Sequence, residues 1–333
     1  MKFKSFCQNF LLLCGAFCFF AFLALKIDAF LARPLYLKSA YPYLQFDAYL
    51  GWKPKPDLSI FNNPDGGGDL HTNSKGFRSE EIDSSRPQIL LLGDSIAWGY
   101  GVSDHQTMSF YIQQRLKNQQ IQNLAVPCYG IDQSYLRLKE AIDIANIQNI
   151  VLVLYKNDLE DTSTNVREDR RKPLFVMKGN HSEMTEAPIS RWNLRNFVSR
   201  TWFYNQLIRP RRRLNVLVSR IVGDQYRSQD EAKKICEILL NRIKTIAAEK
   251  GAHLTVVISP GENEYLKKST EYGWFEDYLK KNGVDFIDVL SYLKAHVSAD
   301  QIHAFYRDNA HYSQKGHQLL ADLILPHLNQ AQV

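Results

Sequence analysis

Five short β-rich runs alternate with helical segments from Gln88 onward, and this alternation allows few folds. The runs are Ile89–Leu92, Ile121–Val126, Ile150–Leu154, Leu254–Ile258 and Val284–Val289. Helical periodicity is found at Phe110–Asn118, Tyr135–Ile144, Asp230–Lys250, Trp274–Asn282 and Lys315–Leu328. Apolar strands that alternate with helices are typical of a parallel sheet with both faces covered. The chain is therefore predicted to form a three-layer α/β/α domain.

Two polar motifs stand out against this pattern. Ser95 follows the first strand in Gly93-Asp94-Ser95, and Asp308 and His311 lie three residues apart near the C-terminus. Ligands of open α/β sheets bind at the carboxyl ends of the strands, where Ser95 is expected. A serine hydroxyl becomes a strong nucleophile when a base removes its proton and a third group orients that base. The three residues match the parts of a serine hydrolase.

The motifs resemble those of the SGNH (GDSL-type) hydrolase superfamily. Its four blocks are matched, over residues 88–328, by Gly93-Asp94-Ser95, Gly130, Asn157-Asp158 and Asp308-x-x-His311. One departure is Tyr155, which replaces the glycine of the usual Gly-x-Asn-Asp block. A segment upstream, Asn73-x-x-Gly76-x-Arg78, resembles one found in membrane-anchored members. It also fits a turn in which Phe77 docks on the core and Arg78 pairs with an acid.

Because crossovers in a parallel sheet are right-handed, the strand order is expected to be flavodoxin-like, with Ser95 at the switch point beside the first strand. The resemblance implies a role for each motif residue. Ser95 would be the nucleophile, His311 the base and Asp308 the group that orients it. Three donors would stabilise the oxyanion: the N–H of Ser95, the N–H of Gly130 and the side-chain amide of Asn157. Neither a cofactor nor a metal is implied, and no His/Cys/Asp cluster has metal-ligand spacing.

Two of the site residues also have a purely structural interpretation. Ser95 has the residue type of a helix N-cap, and Asn157 that of a residue capping the loop after its strand. Asp94 and Asp158 are interpreted as structural. His303 and His317 are expected to be solvated or to have their hydrogen bonds satisfied within the fold. Cys128 is expected to be a buried residue that packs in the core.

The N-terminal segment has a different character from the rest of the chain. Residues 6–25 contain no charged side chain. About 20 helical residues span about 30 Å, enough for the core of a bilayer. No good cleavage site follows, so a retained transmembrane signal anchor is favoured over a cleaved signal peptide. The flanking lysines do not decide the orientation; the short N-terminal tail suggests a single-pass protein of the cell membrane with an extracytoplasmic, periplasmic domain.

The remaining chain divides into three parts. Residues 26–87 are rich in Pro, Gly, Asn and Asp and are predicted to be a stalk and N-terminal extension. Residues 88–333 form the hydrolase domain. Within it, residues 160–229 are longer than an ordinary connection between a strand and a helix. They are interpreted as a cap beside the active site, and a peripheral packing insertion is the alternative.

Charge and cysteine content limit the possible partners. The net charge is +6, and basic residues cluster at 167–172 and at 209–213. These clusters fit solvated surface, or contact with anionic lipid headgroups or an acidic polymer. No nucleic-acid motif accompanies them. Only Cys128 and Cys236 lie outside the N-terminal segment, and their spacing does not show whether they pair.

Together these features predict a membrane-anchored serine esterase with no cofactor. Its substrate is expected to be an acyl ester, first of all an O-acetyl ester on a cell-surface carbohydrate, and its other partner the lipid bilayer. An O-acyltransferase would use the same residues with a glycan acceptor. A non-catalytic glycan-binding or assembly protein on the same fold is the third possibility.

Overall fold

The computed structural model describes ten stretches of the chain. These are residues 19–20, 22–24, 26–28, 41–63, 67–168, 170–185, 187–190, 193–199, 201–267 and 273–328. The chain separates into two compact units. One comprises Met1–Ala40 and Arg191–Asp224, and the other comprises Tyr41–Ser190 and Gln225–Val333. The second unit contains all the predicted site residues.

The second unit is built on a five-stranded parallel sheet. Its strands are β1 (Gln88–Leu92), β2 (Gln120–Asn123), β3 (Ile147–Leu154), β4 (His253–Ile258) and β5 (Asp285–Asp288). All neighbouring strands pair in parallel, in the spatial order 2-1-3-4-5. The predicted parallel sheet and flavodoxin-like order are confirmed. The order reverses beside β1, so the loop after β1 lies at the switch point.

Helices cover both faces of the sheet. In this unit they are α1 (Ser95–Trp98), α2 (Met108–Arg115), α3 (Ile131–Glu140), α4 (Asn157–Thr162), α5 (Gln229–Glu249), α6 (Glu262–Lys267), α7 (Gly273–Lys281), α8 (Val289–His296) and α9 (Gln314–Ile324). Short 3-10 turns span Asp104–Gln106, Ile302–Phe305 and Leu325–His327.

The two faces have separate apolar cores because alternate strand residues point in opposite directions. Leu91 and Val153 pack with α2, α8 and α9 in one core, whereas Leu90 and Leu152 pack with α3, α5 and α7 in the other. The predicted three layers are therefore present.

Residues 41–87 are integrated into this unit, whereas the sequence predicted a stalk over 26–87. They form two hairpins, Leu44–Asp47 with Gly51–Pro54 and Ser59–Asn63 with Gly68–His71. The physical reason is aromatic burial: Tyr43 and Trp52 are at most 1% exposed. Phe77 is also buried, and Arg78 Nε donates to Asp104 Oδ1 at 2.7 Å, as the structural interpretation of that segment predicts. Residues 29–40 lie outside the described chain.

The long insertion is shared between the two units. Its first part contains two hairpins, Val166–Arg167 with Arg170–Arg171 and Leu174–Lys178 with His181–Thr185. Its second part, in the other unit, contains the helices Leu194–Ser199, Tyr204–Ile208 and Arg212–Ile221. The interpretation of residues 160–229 as a cap stays a prediction.

Most of the predicted anchor, residues 6–18, 21 and 25, also lies outside the described chain. Among the residues that are described, no helix combines the length and the apolar character needed to cross a bilayer.

Candidate active site

The turn after β1 presents the hydroxyl of Ser95. Gly93 has a φ of +141°, and a Cβ there would lie 2.7 Å from the carbonyl oxygen of Val153. Only glycine fits such a backbone conformation and such a close approach. Asp94 caps α1 by accepting the N–H of Ile96 at 2.8 Å. Because Asp94 is the cap, the hydroxyl of Ser95 is not used for capping and is available for another partner.

A closed loop before α9 carries the acid and the imidazole. Tyr306 and Tyr312 form an antiparallel bridge at its base, and Arg307 donates its N–H to the carbonyl of His311 at 2.9 Å. Inside the loop, Asp308 Oδ1 accepts the N–H of His311 at 2.9 Å and that of Ala310 at 3.0 Å. The carboxylate therefore orders the loop as well as contacting the imidazole.

These two segments meet in a continuous chain of hydrogen bonds. Ser95 Oγ lies 2.9 Å from His311 Nε2, and His311 Nδ1 lies 3.0 Å from each carboxylate oxygen of Asp308. With the proton on Nδ1, the imidazole donates to Asp308 and accepts from Ser95. Burial alone would raise the pKa of Asp308, but the N–H groups of His311 and Ala310 and the charge of His311 lower it overall. Asp308 is thus kept ionised beside the imidazole.

The two other predicted oxyanion groups lie on α3 and α4. Gly130 directly precedes α3, and Asn157 is the first residue of α4, after β3. A Cβ on Gly130 would lie 2.9 Å from both the N and the Oγ1 of Thr162. Glycine is thus required for packing against α4, in addition to the close substrate approach expected from the sequence. Asn157 Nδ2 donates to Asp161 Oδ2 at 2.7 Å. Among the described contacts of Asn157, no side-chain hydrogen bond caps the loop after β3.

Tyr155 occupies the place of the family's glycine without disturbing this turn. Its N–H donates to Asp158 Oδ2 at 2.6 Å, and the residue as a whole is 8% exposed. A Cβ on Gly261 would lie 2.8 Å from the Tyr155 hydroxyl, so the absence of a side chain there makes room for the tyrosine. Burial, followed by the charge of Asp94, raises the pKa of Asp158 well above its usual range. Asp158 is structural, as expected.

A buried polar network extends from Asn157, and the sequence analysis missed it. Lys172 and Asp132 side chains are completely buried and joined at 2.5 Å. Arg167 Nε lies 3.0 Å from Asp161 Oδ1. Burial raises the pKa of Asp161 to about 7, although Arg167 and Lys172 oppose the increase. Lys172 belongs to the basic cluster interpreted as surface; its burial corrects that interpretation for this residue, and no local signal in the sequence reveals it.

Tyr100 is a second contact that the motifs did not indicate. Its ring lies 4.5 Å from the ring of His311, at an interplanar angle of 41°. The guanidinium of Arg307 lies 5.7 Å from the centre of the same tyrosine ring. Tyr100 follows the Gly-Asp-Ser motif by only five residues, so its nearness to Ser95 was readable from the sequence, but its packing against His311 depends on the tertiary fold.

The other candidate residues have structural surroundings. His317 is buried on α9, and its burial lowers its pKa to about 3. His303 pairs with Glu262. Cys128 and Cys236 are both buried free thiols, so they do not pair with each other. In the described part of the chain, no group of three or more His, Cys, Asp or Glu side chains is arranged to hold a metal ion.

A separate cavity of about 320 Å³ lies along α2, away from these residues. Its lining includes His71, Arg78, Asp104 and Phe110 but none of the predicted site residues. The guanidinium of Arg78 donates hydrogen bonds to Asp104 and to the backbone carbonyls of Trp98, Gly99 and Val102. We assign this cavity no role in the chemistry of Ser95.

Comparison with known proteins finds similarity among solved structures only. A G-D-S-L family lipolytic protein of Veillonella parvula is 13% identical, with a TM-score of 0.40, over 72% of this chain and 97% of its own. A lipase/acylhydrolase of Enterococcus faecalis is 15% identical, with a TM-score of 0.41, over 74% of this chain and 100% of its own. An esterase of Pseudoalteromonas is 11% identical, with a TM-score of 0.40, over 73% of this chain and 96% of its own.

These similarities are too low to establish a family or an activity for this chain. No family model matches the sequence, and no curated protein matches it either.

Proposed function

We propose that this protein is a serine esterase of the SGNH type that works through an acyl-enzyme on Ser95. The observation that carries the proposal is the hydrogen-bonded chain Ser95–His311–Asp308, with contacts of 2.9 and 3.0 Å. Such contacts are the geometry expected of a nucleophile, its base and the group that orients the base.

In the first half-reaction, Ser95 Oγ attacks the carbonyl carbon of the ester while its proton passes to His311 Nε2. The tetrahedral intermediate then breaks its bond to the alcohol oxygen, which receives the proton from His311. In the second half-reaction, water attacks the acylated serine and gives one proton to His311. The carboxylic acid leaves, and the proton returns to Ser95. Asp308 stays ionised and supports the imidazolium at each step.

The negative charge of each tetrahedral intermediate needs donors already in place. By resemblance, these are the N–H groups of Ser95 and Gly130 and the side-chain amide of Asn157. Gly130 and Asn157 begin adjacent helices that contact one another through Gly130 and Thr162. Thr162 is the last residue of the six-residue helix that Asn157 begins, so this contact places the start of α3 against the same short helix as Asn157 and supports a shared oxyanion site.

For the substrate, we propose an O-acetyl ester on a cell-surface carbohydrate. The alternative, acyl transfer to a glycan hydroxyl, uses the same first half-reaction with a sugar in place of water. The test is to incubate the purified protein with p-nitrophenyl acetate and with acetylated cell-envelope glycans. Release of acetate in water supports the esterase. Acetate transfer that requires an added glycan acceptor identifies a transferase, and the absence of any reaction dependent on Ser95 favours a non-catalytic protein.

We further propose that the protein is held at the membrane, with the catalytic unit outside the cytoplasm. The uncharged segment 6–25 motivates this proposal. The helix Arg212–Ile221 gives it support, because Leu214, Leu217 and Ile221 are 45–66% exposed on one side of a helix that also carries arginines. Exposed apolar and basic faces suit contact with anionic lipid. The full-length protein should remain with membranes after carbonate washing; an N-terminally shortened protein in the supernatant would indicate a cleaved signal instead.

A further inference from the structure

The two proposed oxyanion donors outside the Ser95 turn come from separate segments of the chain. Gly130 precedes α3 and Asn157 begins α4, and the two helices contact each other in the fold. An oxyanion site works only if its donors are fixed before the charge develops, and a displacement of about 1 Å can cost about 10²-fold in rate. Something must therefore hold the start of α3 in a fixed position against α4.

Lys172 joins these helices directly. Its side chain is completely buried, and its ammonium group donates at 2.5 Å to Asp132 Oδ2, on the first turn of α3. The same group donates at 2.5 Å to the backbone carbonyl of Asp161, on α4. A buried ammonium is retained only where charge and hydrogen bonds compensate its lost hydration. Here the two compensating groups belong to Asp132, two residues after Gly130, and to Asp161, four residues after Asn157.

Asp161 continues the connection to the amide of Asn157. Its Oδ2 accepts from Asn157 Nδ2 at 2.7 Å, and its Oδ1 lies 3.0 Å from Arg167 Nε. The side-chain oxygen of Asn157 is buried and, within the part of the chain that the structure describes, has no hydrogen-bond partner. A flipped amide would place that oxygen against the carboxylate of Asp161. Asp161 therefore fixes the NH₂ end of the Asn157 amide, and the Asn157 side chain also forms a hydrogen bond with the carboxyl group of Asp94.

We propose that Lys172, Asp161 and Arg167 are positioning residues that brace the oxyanion site by fixing α3 to α4 and orienting the amide of Asn157. This inference rests on the proposed esterase function. Arg167 and Lys172 both come from the first hairpin of the insertion and its flank, so this part of the insertion supports the reaction centre from inside the fold. None of the three residues needs to touch the substrate.

The test is a double-mutant cycle between Asp161→Asn and Asn157→Ala, with kcat and KM measured on p-nitrophenyl acetate. Asp161→Asn keeps the volume of the side chain but replaces the carboxyl group that accepts the hydrogen bond from Asn157 Nδ2. Alone it should lower kcat by about 10-fold and change KM by less than about 2-fold, because orientation and not ground-state binding is lost. In the Asn157→Ala background the same change should lower kcat by less than about 2-fold, because the amide it orients is absent.

Two further variants and one control complete the design. Lys172→Met and Arg167→Gln should show the same dependence on Asn157, and Arg167 is the milder change because its side chain is 32% exposed. If Lys172→Met fails to fold by thermal melting, the Asp161 and Arg167 cycles decide the result. Glu140→Gln is the matched control. It removes the charge that pairs, at 2.6 Å, with the buried side chain of Arg137 on α3, and neither residue has a described contact with Asn157.

A loss of kcat in Asp161→Asn that persists in full in the Asn157→Ala background would overturn the inference, as would an equal loss in Glu140→Gln. Either result would leave the esterase proposal intact, because wild-type hydrolysis would still exceed that of Ser95→Ala. If wild type shows no hydrolysis above Ser95→Ala, the esterase proposal fails and the bracing role fails with it.

Discussion

Replacement of Asp308 by Asn tests the proposed triad most sharply, because it removes one charge and keeps the shape of the side chain. Asp308 contacts His311 Nδ1 at 3.0 Å through both carboxylate oxygens. The amide cannot support the imidazolium, and its NH₂ group disfavours the tautomer that carries a proton on Nδ1. The nucleophile and the base nevertheless remain in the variant. We therefore expect Asp308→Asn to reduce activity without abolishing it.

The exposure of Asp308 sets the size of the effect. Two unit charges about 4 Å apart attract by about 1 kcal/mol in water and about 4 kcal/mol at an effective dielectric constant of about 20. The side chain of Asp308 is 45% exposed, so water screens part of this attraction. The lost charge alone, at about 2–3 kcal/mol, lowers kcat roughly 30- to 150-fold, and the disfavoured tautomer lowers it further, to a total of at most about 10⁴-fold. Removal of Ser95 or His311 should lower kcat far more, because each eliminates a reacting group.

The assay is hydrolysis of p-nitrophenyl acetate by wild type, Asp308→Asn, Ser95→Ala and His311→Ala. Circular dichroism serves as the control for folding, because Asp308 also accepts two backbone N–H groups of its loop. The reasoning is refuted if folded Asp308→Asn is as inactive as Ser95→Ala, or if it retains the wild-type rate. If His311→Ala keeps the wild-type rate, His311 is not the base, and His303 or His317 must be tested.

Three further predictions concern other residues of the fold and the site. Asn157→Ala should lower kcat by roughly 10²- to 10³-fold, as loss of one oxyanion donor does, and a wild-type rate would remove Asn157 from the site. Gly93→Ala should destabilise the fold by about 1–3 kcal/mol in urea unfolding, because a Cβ would approach Val153 O to 2.7 Å at a φ of +141°; an unchanged midpoint would contradict this. The folded-state pKa of His317 is lowered to about 3 by burial, so the unfolded chain binds its proton first as the pH falls below about 6.5. The free energy of unfolding should then fall with decreasing pH between about 6.5 and 3, and His317→Gln should reduce that slope by up to about 1.4 kcal/mol per pH unit; equal slopes would refute the assignment.

The sequence by itself determined the sheet and the pairing of its motifs. Strands such as Ile150–Leu154 are apolar throughout and are bounded by turns, so their existence and the parallel class of the sheet follow from local pattern. The structure begins that strand at Ile147 and the next at His253, because pairing with neighbours extends a strand beyond its apolar run. Asp308 and His311 share one short loop, so their contact was also predictable from spacing.

The tertiary structure alone decided which polar groups are buried together. Lys172 lies in a basic run that has the local appearance of surface, yet it is completely buried between Asp132 and Asp161. Likewise, Tyr43 and Trp52 lie in a turn-rich segment and still pack into the folded unit. Local periodicity reports which face of one element is apolar. It holds no information on a partner that is distant in the chain, and the burial of a charge depends on that partner.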